Sequence, residues 1–371
     1  MSLFSVPADF SIETVRTYET MNQMYDDKVN ETYGQMNDPG NKFGSGRSAD
    51  HLPYCDLPML EKYVDYSKAK GIGFNYILNT TCLSNEEFTV NGLTEILEFL
   101  KKLAGIGVES VTVCLPSLIE LIVTSGLPLK IKGSTICGII NADKAKSFKT
   151  LGVHRIVVDE SINRDFATLR RINEVYPGEV EMIVNVICYK NCIYRPFHHN
   201  QMSHDSAFNQ KSVSYYSHRC MMKRGEATEN LLKMCFVRPE DLWYYEEIPI
   251  TRYKIQGRQA AVKGNLQKTV EAYMKRMYDG NLLDLLDCFA PTNSFRYALD
   301  NRKLDTFLEP FYRANICNNH CEACNYCKVY MESHFDVNEV GFINKMSREY
   351  YNAMDEFKNN IREAMGNTTD G

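Results

Sequence analysis

The sequence predicts an α/β chain folded as an eightfold β/α barrel, with a cysteine-rich insertion and a cysteine-rich, helical appendage. Three observations predict this. Apolar, β-branched runs alternate with stretches of helical period, the pattern of repeated β-α units around a parallel sheet. There are eight such runs, and although the same alternation permits an open doubly wound sheet, the strand count favours the closed barrel. The rhythm breaks in two places, and both breaks are rich in cysteine.

The candidate strands are, in order, Leu3–Pro7, Thr32–Met36, Gly73–Leu78, Ser110–Leu115, Leu129–Thr135, Arg155–Asp159, Val180–Ile187 and Arg252–Gln256. Between them, Leu93, Ile96, Leu97, Leu100 and Leu103 form one apolar stripe at helical spacing, and Phe166, Leu169, Ile172 and Val175 form another. A third stripe, Val262, Leu266, Val270, Tyr273 and Met277, follows the last strand and closes the barrel. The segment from Cys188 to about Pro239 exceeds the ~2–6 residues usual for a β-α connection, so it is a functional insertion. After Gly280 the barrel pattern ends; Cys288 to Cys327 is cysteine-rich, and a last amphipathic helix carries Tyr350, Met354, Phe357, Ile361 and Met365 on one side. The division is residues 1–285 as barrel with insertion 188–238, and 286–371 as appendage, whose tail 366–371 is expected to fray.

At 44% hydrophobic and 24% charged residues the composition is globular, which excludes disordered, collagenous and coiled-coil classes. The formal charge of −5 gives no general attraction to phosphate backbones or anionic membranes, so nucleic acid is a weaker candidate partner than a small molecule or peptide. No apolar run approaches the ~18 residues of a membrane span, and the opening MSLFSVPADF lacks the features of a signal peptide. The expected location is the cytoplasm. A reducing cytosol does not keep structural disulfides, so the 13 cysteines point to metal ligands or catalytic groups.

Active sites of such barrels lie at the carboxyl ends of the strands. The residues that should meet there are Gly44-Ser45-Gly46-Arg47, Asn79, Cys82, Cys114, Ser134, Thr135, Asp159, Glu160, Asn185, Cys188 and Gln256-Gly257-Arg258. Cys188, Cys192, Cys220 and Cys235 all lie on the insertion; four thiols suit a 4Fe-4S cluster or zinc. Packing as small hydrophobes is the bland alternative, but four thiols in a polar loop are not a core pattern. A second group, Cys317, Cys321, Cys324 and Cys327, places four thiols in eleven residues, for a second cluster or zinc. Its first three members have the CxxxCxxC spacing of radical SAM enzymes, but that motif follows the first strand of its barrel and this one follows the last. His198 and His204 could hold a carboxylate or move protons beside the first group, or merely bond loop backbone. Gly44, Gly46 and Arg47 have the look of an anion loop, Asn79 and Lys254 are further substrate contacts, and Arg258 at a strand end suits an anionic substrate.

The strand ending in Cys188, the cysteine-rich insertion and Lys254-Ile-Gln-Gly-Arg258 together resemble the collagenase-like peptidase family, peptidase family U32, over roughly residues 60–280. In that family a barrel strand leads into cysteines and a later strand reads KIEGR. The resemblance implies a 4Fe-4S protein that hydroxylates without dioxygen, on ubiquinone precursors or RNA bases, with prephenate as oxygen donor. It implies Cys188, Cys192, Cys220 and Cys235 as cluster ligands, and Lys254, Gly257 and Arg258 as mouth residues. The chain departs from the family at Asn185 and Gln256, where Glu is usual, and in its cysteine spacing. Three functions follow as expectations: an iron-sulfur hydroxylase or group-transfer enzyme acting on a small anionic or peptidic acceptor, a peptidase, and a non-catalytic iron-sulfur partner of another protein or of a second copy.

Overall fold

The computed structural model describes residues 1–38, 43–190, 192–208, 212–290, 297–317 and 319–366. Eight parallel strands close in sequence order: β1 (Leu3–Pro7), β2 (Lys28–Gly34), β3 (Gly73–Leu78), β4 (Ser110–Val113), β5 (Lys130–Gly133), β6 (Arg155–Val157), β7 (Val180–Ile183) and β8 (Arg252–Lys254). Closure is made by β8 pairing with β1, Arg252 opposite Leu3 and Lys254 opposite Ser5. The expected (β/α)8 barrel is therefore the fold. The second strand begins earlier than its sequence suggests, because polar Asn30, Glu31 and Thr32 belong to it.

Helices α1 (Ile12–Met24), α2 (Leu57–Ala69), α3 (Val90–Gly105), α4 (Pro116–Ser125), α5 (Ala142–Thr150) and α6 (Phe166–Val175) form the outer layer. Several start on a side-chain cap: Asp56, Thr89, Asn141 and Asp165 each accept from a backbone N–H two or three places into the helix. In α3 the stripe turns Ile96, Leu100 and Leu103 onto the sheet, each worth about 1.5–3 kcal/mol of apolar burial. Leu169 and Ile172 do the same in α6.

The insertion folds as α7 (Arg195–Phe208) and α8 (Tyr215–Arg224), and α9 (Leu242–Glu246) leads into β8. The third stripe is divided between α10 (Ala260–Lys263) and α11 (Leu266–Met274), and its ends Val262 and Met277 are exposed. Gly264 makes the break. A Cβ there would lie 2.5 Å from the Cys288 carbonyl oxygen, so the chain must pass too close for a continuous helix with a side chain.

The appendage comprises α12 (Leu282–Leu286), α13 (Glu309–Ala314), α14 (Cys321–Cys324), α15 (Tyr326–His334), α16 (Val337–Ala353) and α17 (Glu356–Ala364). The expected single last helix is two, and its apolar side is corrected. Tyr350, Met354, Phe357, Ile361 and Met365 are exposed, while Val340, Asn344, Ser347 and Tyr351 face inward. Arg219 of α8 reaches across to Asp355, 2.6 Å, and ties this end to the insertion. Residues 367–371, most of the tail expected to fray, lie outside the described residues.

Inside the barrel, strand alternation aims charge inward. Lys132 of β5 pairs with Glu31 of β2 and with Glu181 of β7 at 2.7 Å, all nearly inaccessible to solvent. Ser5 donates to Glu31 at 2.8 Å, and Arg155 of β6 stands beside both carboxylates. Such interiors are ordinarily filled by branched apolar side chains. Here the interior carries this ionic layer, and Val157, Ile183, Val186 and Cys235 form a small apolar plug separate from the outer core.

Candidate active site at the barrel mouth

Arg258 is aimed into the mouth by the turn after β8. Gly257 has φ +140°, and a Cβ on it would lie 2.9 Å from the Cys288 sulfur, so the position demands glycine. The guanidinium is buried and donates to Gln35 Oε1 at 2.7 Å and Ser45 Oγ at 2.9 Å, both neutral. It makes no ion pair among the described residues. Burial and the nearby charge of Arg47 both push its pKa down. Arg47 is half-buried nearby: desolvation lowers it, its Nε has no partner, and Nη1 lies 3.8 Å from the Met202 sulfur. Among the described residues no carboxylate pairs with either guanidinium.

The loop carrying Arg47 is positioned by close packing. A Cβ at Gly44 would lie 2.8 Å from the Ala207 nitrogen and one at Gly46 2.6 Å from Ile136 Cδ1. The amide of Ser45 donates to Ser206 Oγ and that of Gly46 to Asn79 Oδ1, each at 3.0 Å. Asn79 in turn donates to Ser134 at 3.1 Å. These two N–H groups are spent within the protein, so the glycines serve to dock the loop. Helix α7 forms the roof, with Ser203 accepting from Thr81 N at 3.1 Å and Asp205 from Ser48 at 3.2 Å.

The two expected histidines part company. Six residues on a helix turn through about 600°, leaving His204 some 120° from His198. His198 is half-buried, with burial and then Arg47 lowering its pKa to about 4, so it is neutral at pH 7. His204 is exposed and stacks on Phe208. His199, lowered to about 3 by burial and then by His198, also sits on the inner side and was not anticipated. Lys254 is buried with Nζ 3.7 Å from the Tyr33 ring centre; burial, opposed by Glu181, brings it down to about 7.

Beside this space, Arg195 at the start of α7 clamps Asp159 and, at 3.2 Å, Glu160. Burial would raise Asp159, but Arg195 outweighs it and holds that carboxyl low. Glu160 stays raised by burial, and it and Cys220 add to the burial that raises the Cys188 thiol. The Cys235 amide donates to the Cys188 carbonyl at 3.0 Å, placing those two residues side by side over the plug. Cys220 accepts from Arg224 Nη2 at 3.2 Å, and the same Nη2 donates to Ile187 O at 2.7 Å. Cys192 is half-buried against the outer core. Among the described residues no three His, Cys, Asp or Glu side chains close on one point as a single metal ion requires. Cys114 is buried with its thiol on the Thr80 carbonyl at 2.8 Å, whereas Cys82 is exposed.

Asn185 and Gln256 hold each other. Asn185 Nδ2 donates to Gln256 O at 2.8 Å, Gln256 N to Asn185 Oδ1 at 2.7 Å, and Gln256 Nε2 to Asn185 O at 2.9 Å. They join the ends of β7 and β8 and are braces.

Fold and mouth define a β/α-barrel protein whose strand ends gather unpaired cations and thiols under a helical insertion. Residues 43–284 match the model of peptidase family U32, and the chain belongs to that family. The uncharacterized protease MJ1657 of Methanocaldococcus jannaschii is 34% identical over 295 residues, 79% of this chain and 86% of the relative. The solved structure of the U32 peptidase Mk0906 superposes with a TM-score of 0.50 at 21% identity, covering 69% of this chain and 92% of that one, which supports the shared fold. No helix among the described residues is long and apolar enough to cross a membrane.

Proposed function

We propose that this chain is an iron-sulfur-dependent enzyme of family U32 that transfers oxygen, or another heteroatom, to a small anionic or peptidic acceptor without using dioxygen. The observation that carries the reading is the pairing of buried Arg258 with half-buried Arg47, which have no carboxylate partner among the described residues and lie near Cys188. Unpaired buried cations are costly unless a ligand neutralises them. The oxygen donor implied by the family resemblance, prephenate, is a dicarboxylate, and two guanidiniums match two carboxylates.

The residues suit the implied cluster in kind. Cys188, Cys192, Cys220 and Cys235 are soft donors on one segment, and Arg224 and Arg195 lie where they offset the negative charge of a thiolate-held group. When bound, a cluster with one iron released from its thiolate would supply a Lewis-acid or group-transfer centre. The chain does the rest: Arg47 and Arg258 bind and orient carboxylate, α7 excludes water, the neutral His198 ring accepts a proton, and Lys254 is balanced near neutrality to give or take one.

The test is iron and acid-labile sulfide per chain after anaerobic purification. Cys188→Ser with Cys220→Ser should remove one cluster; unchanged iron would exclude the assignment. Peptide hydrolysis is the second reading, favoured by the family description and the protease name of the relative. Against it, neither His198 nor His199 hydrogen-bonds a Ser or Cys nucleophile among the described residues. Peptide cleavage by the metal-free protein would establish it instead.

A further inference from the structure

Cys317, Cys321, Cys324 and Cys327 all line one cleft of the appendage, with His320 and Lys233. The four cysteines lie outside the residues matched by the family model, while Lys233 lies within them. Helix α14 is the single turn Cys321–Cys324, and Asn325, with φ +51°, turns the chain into the next helix, whose second residue is Cys327. There it lines the same cleft as Cys317 and Cys321. Tyr326 is anchored by its stack on Phe307, centroids 5.7 Å apart, and its hydroxyl donates to Phe307 O at 3.0 Å. The turn is thus built into the fold.

We propose that this cleft binds a second iron-sulfur cluster through these four thiolates, clamping the appendage to the barrel insertion. Four reasons support it. Cys321 and Cys324 are exposed on a polar turn, and thiols that merely pack are among the most buried of side chains. Four thiols in one run of eleven residues is the compact spacing of cluster loops, whereas tetrahedral zinc sites draw on two separated pairs. All four sulfur-bearing residues line one common cleft, so they face a shared space. Cations stand ready to offset the charge: Lys190 Nζ lies 3.7 Å from the Cys317 sulfur, and Lys233 lines the cleft. Lys190 is two residues beyond Cys188, so the contact reaches from the insertion to the appendage. Cluster binding supplies folding free energy at this joint.

The proposal does not depend on a cluster at the mouth. In a Cys188→Ser, Cys220→Ser background, anaerobically purified protein should keep about four irons and four sulfides per chain, as a cubane requires. Adding Cys321→Ser and Cys324→Ser should remove them with the far-UV circular dichroism unchanged. In the otherwise native protein, Cys321 and Cys324 should resist alkylation when iron is present and react once it is chelated. Iron content indifferent to the second pair of substitutions would overturn the proposal, as would zinc at one per chain lost in place of iron, or alkylation at equal rates with and without metal.

Discussion

Replacing Arg258 with Met separates the two roles that a buried strand-end arginine can have. If it were an internal strut in an ion pair, removal would cost about 3–5 kcal/mol. The structure gives it only Gln35 and Ser45, both neutral, at 2.7 and 2.9 Å. Those bonds contribute about 1.5–3 kcal/mol each, and the several kcal/mol spent burying an unpaired cation offset them. Stability should therefore move by less than about 2 kcal/mol. Anion affinity should fall by about tenfold to 150-fold for each charge-assisted bond lost, the equivalent of 1.5–3 kcal/mol. Titration calorimetry with prephenate, paired with guanidinium unfolding, reads both quantities. Affinity within twofold of the native protein, or destabilisation of 3 kcal/mol or more, would refute the reasoning.

Lys132→Met should destabilise the barrel by about 3–5 kcal/mol at pH 7, because it leaves Glu31 and Glu181 buried without their shared cation. Burial raises Glu181, but Lys132, Lys254 and Arg155 bring it down to about 2. Its stabilising effect is thus complete above the ordinary carboxylate value of 4.5 and is lost as pH falls towards 2, so the difference between the two proteins in urea unfolding should shrink over that window. Lys254 carries the opposite sign: its folded pKa of about 7 lies below the ordinary lysine value of 10.5, so the unfolded chain binds more protons and stability should rise from pH 7 towards 10.5. That increment should be missing from the pH dependence of Lys254→Met. Arg219→Ala should loosen the C-terminal helices, exposing Asp355 and its neighbours to faster amide exchange while the barrel strands keep their protection.

How much of this was legible follows from which signals are local. Strand runs such as Ser110–Val113 and Arg155–Val157 announce themselves by β-branched residues, and seven of the eight candidate strands begin within one residue of their observed start. The second was misplaced because an inward-facing Glu31 reads as a loop residue unless its partner Lys132, 101 positions away, is known. That shift also hid Gln35, which receives Arg258. Arg47 and Arg258 were found because Gly and strand-end Arg are positional signals. The separation of His198 from His204 follows from helical geometry once Arg195–Phe208 is seen as a helix, but its polar face conceals the period. Helical periodicity defines the apolar stripe of the last helices but not what covers it, and that side is exposed.

Asn185 makes the same point at the site itself. A carboxylate at this strand end could be taken for a general base, and the amide found here for a weakened version of one. The structure makes it a brace: Nδ2 donates to the carbonyls of Gln256 and Leu286, 2.8 and 3.2 Å away, while Oδ1 accepts from Gln256 N. A carboxylate has no N–H to give, so Asn185→Glu would deprive the Leu286 carbonyl of this donor and leave Gln256 O to the Cys288 thiol alone, both opposite a buried negative charge. Each unsatisfied group costs about 1–3 kcal/mol, more when charged. The variant should lose at least that much stability to denaturant, and Asn185→Asp, which keeps the size, should lose a similar amount. If Asn185→Glu folded with native stability and gained a new ionisation in its pH profile, the residue would belong to the proton chemistry of the mouth and not to its frame.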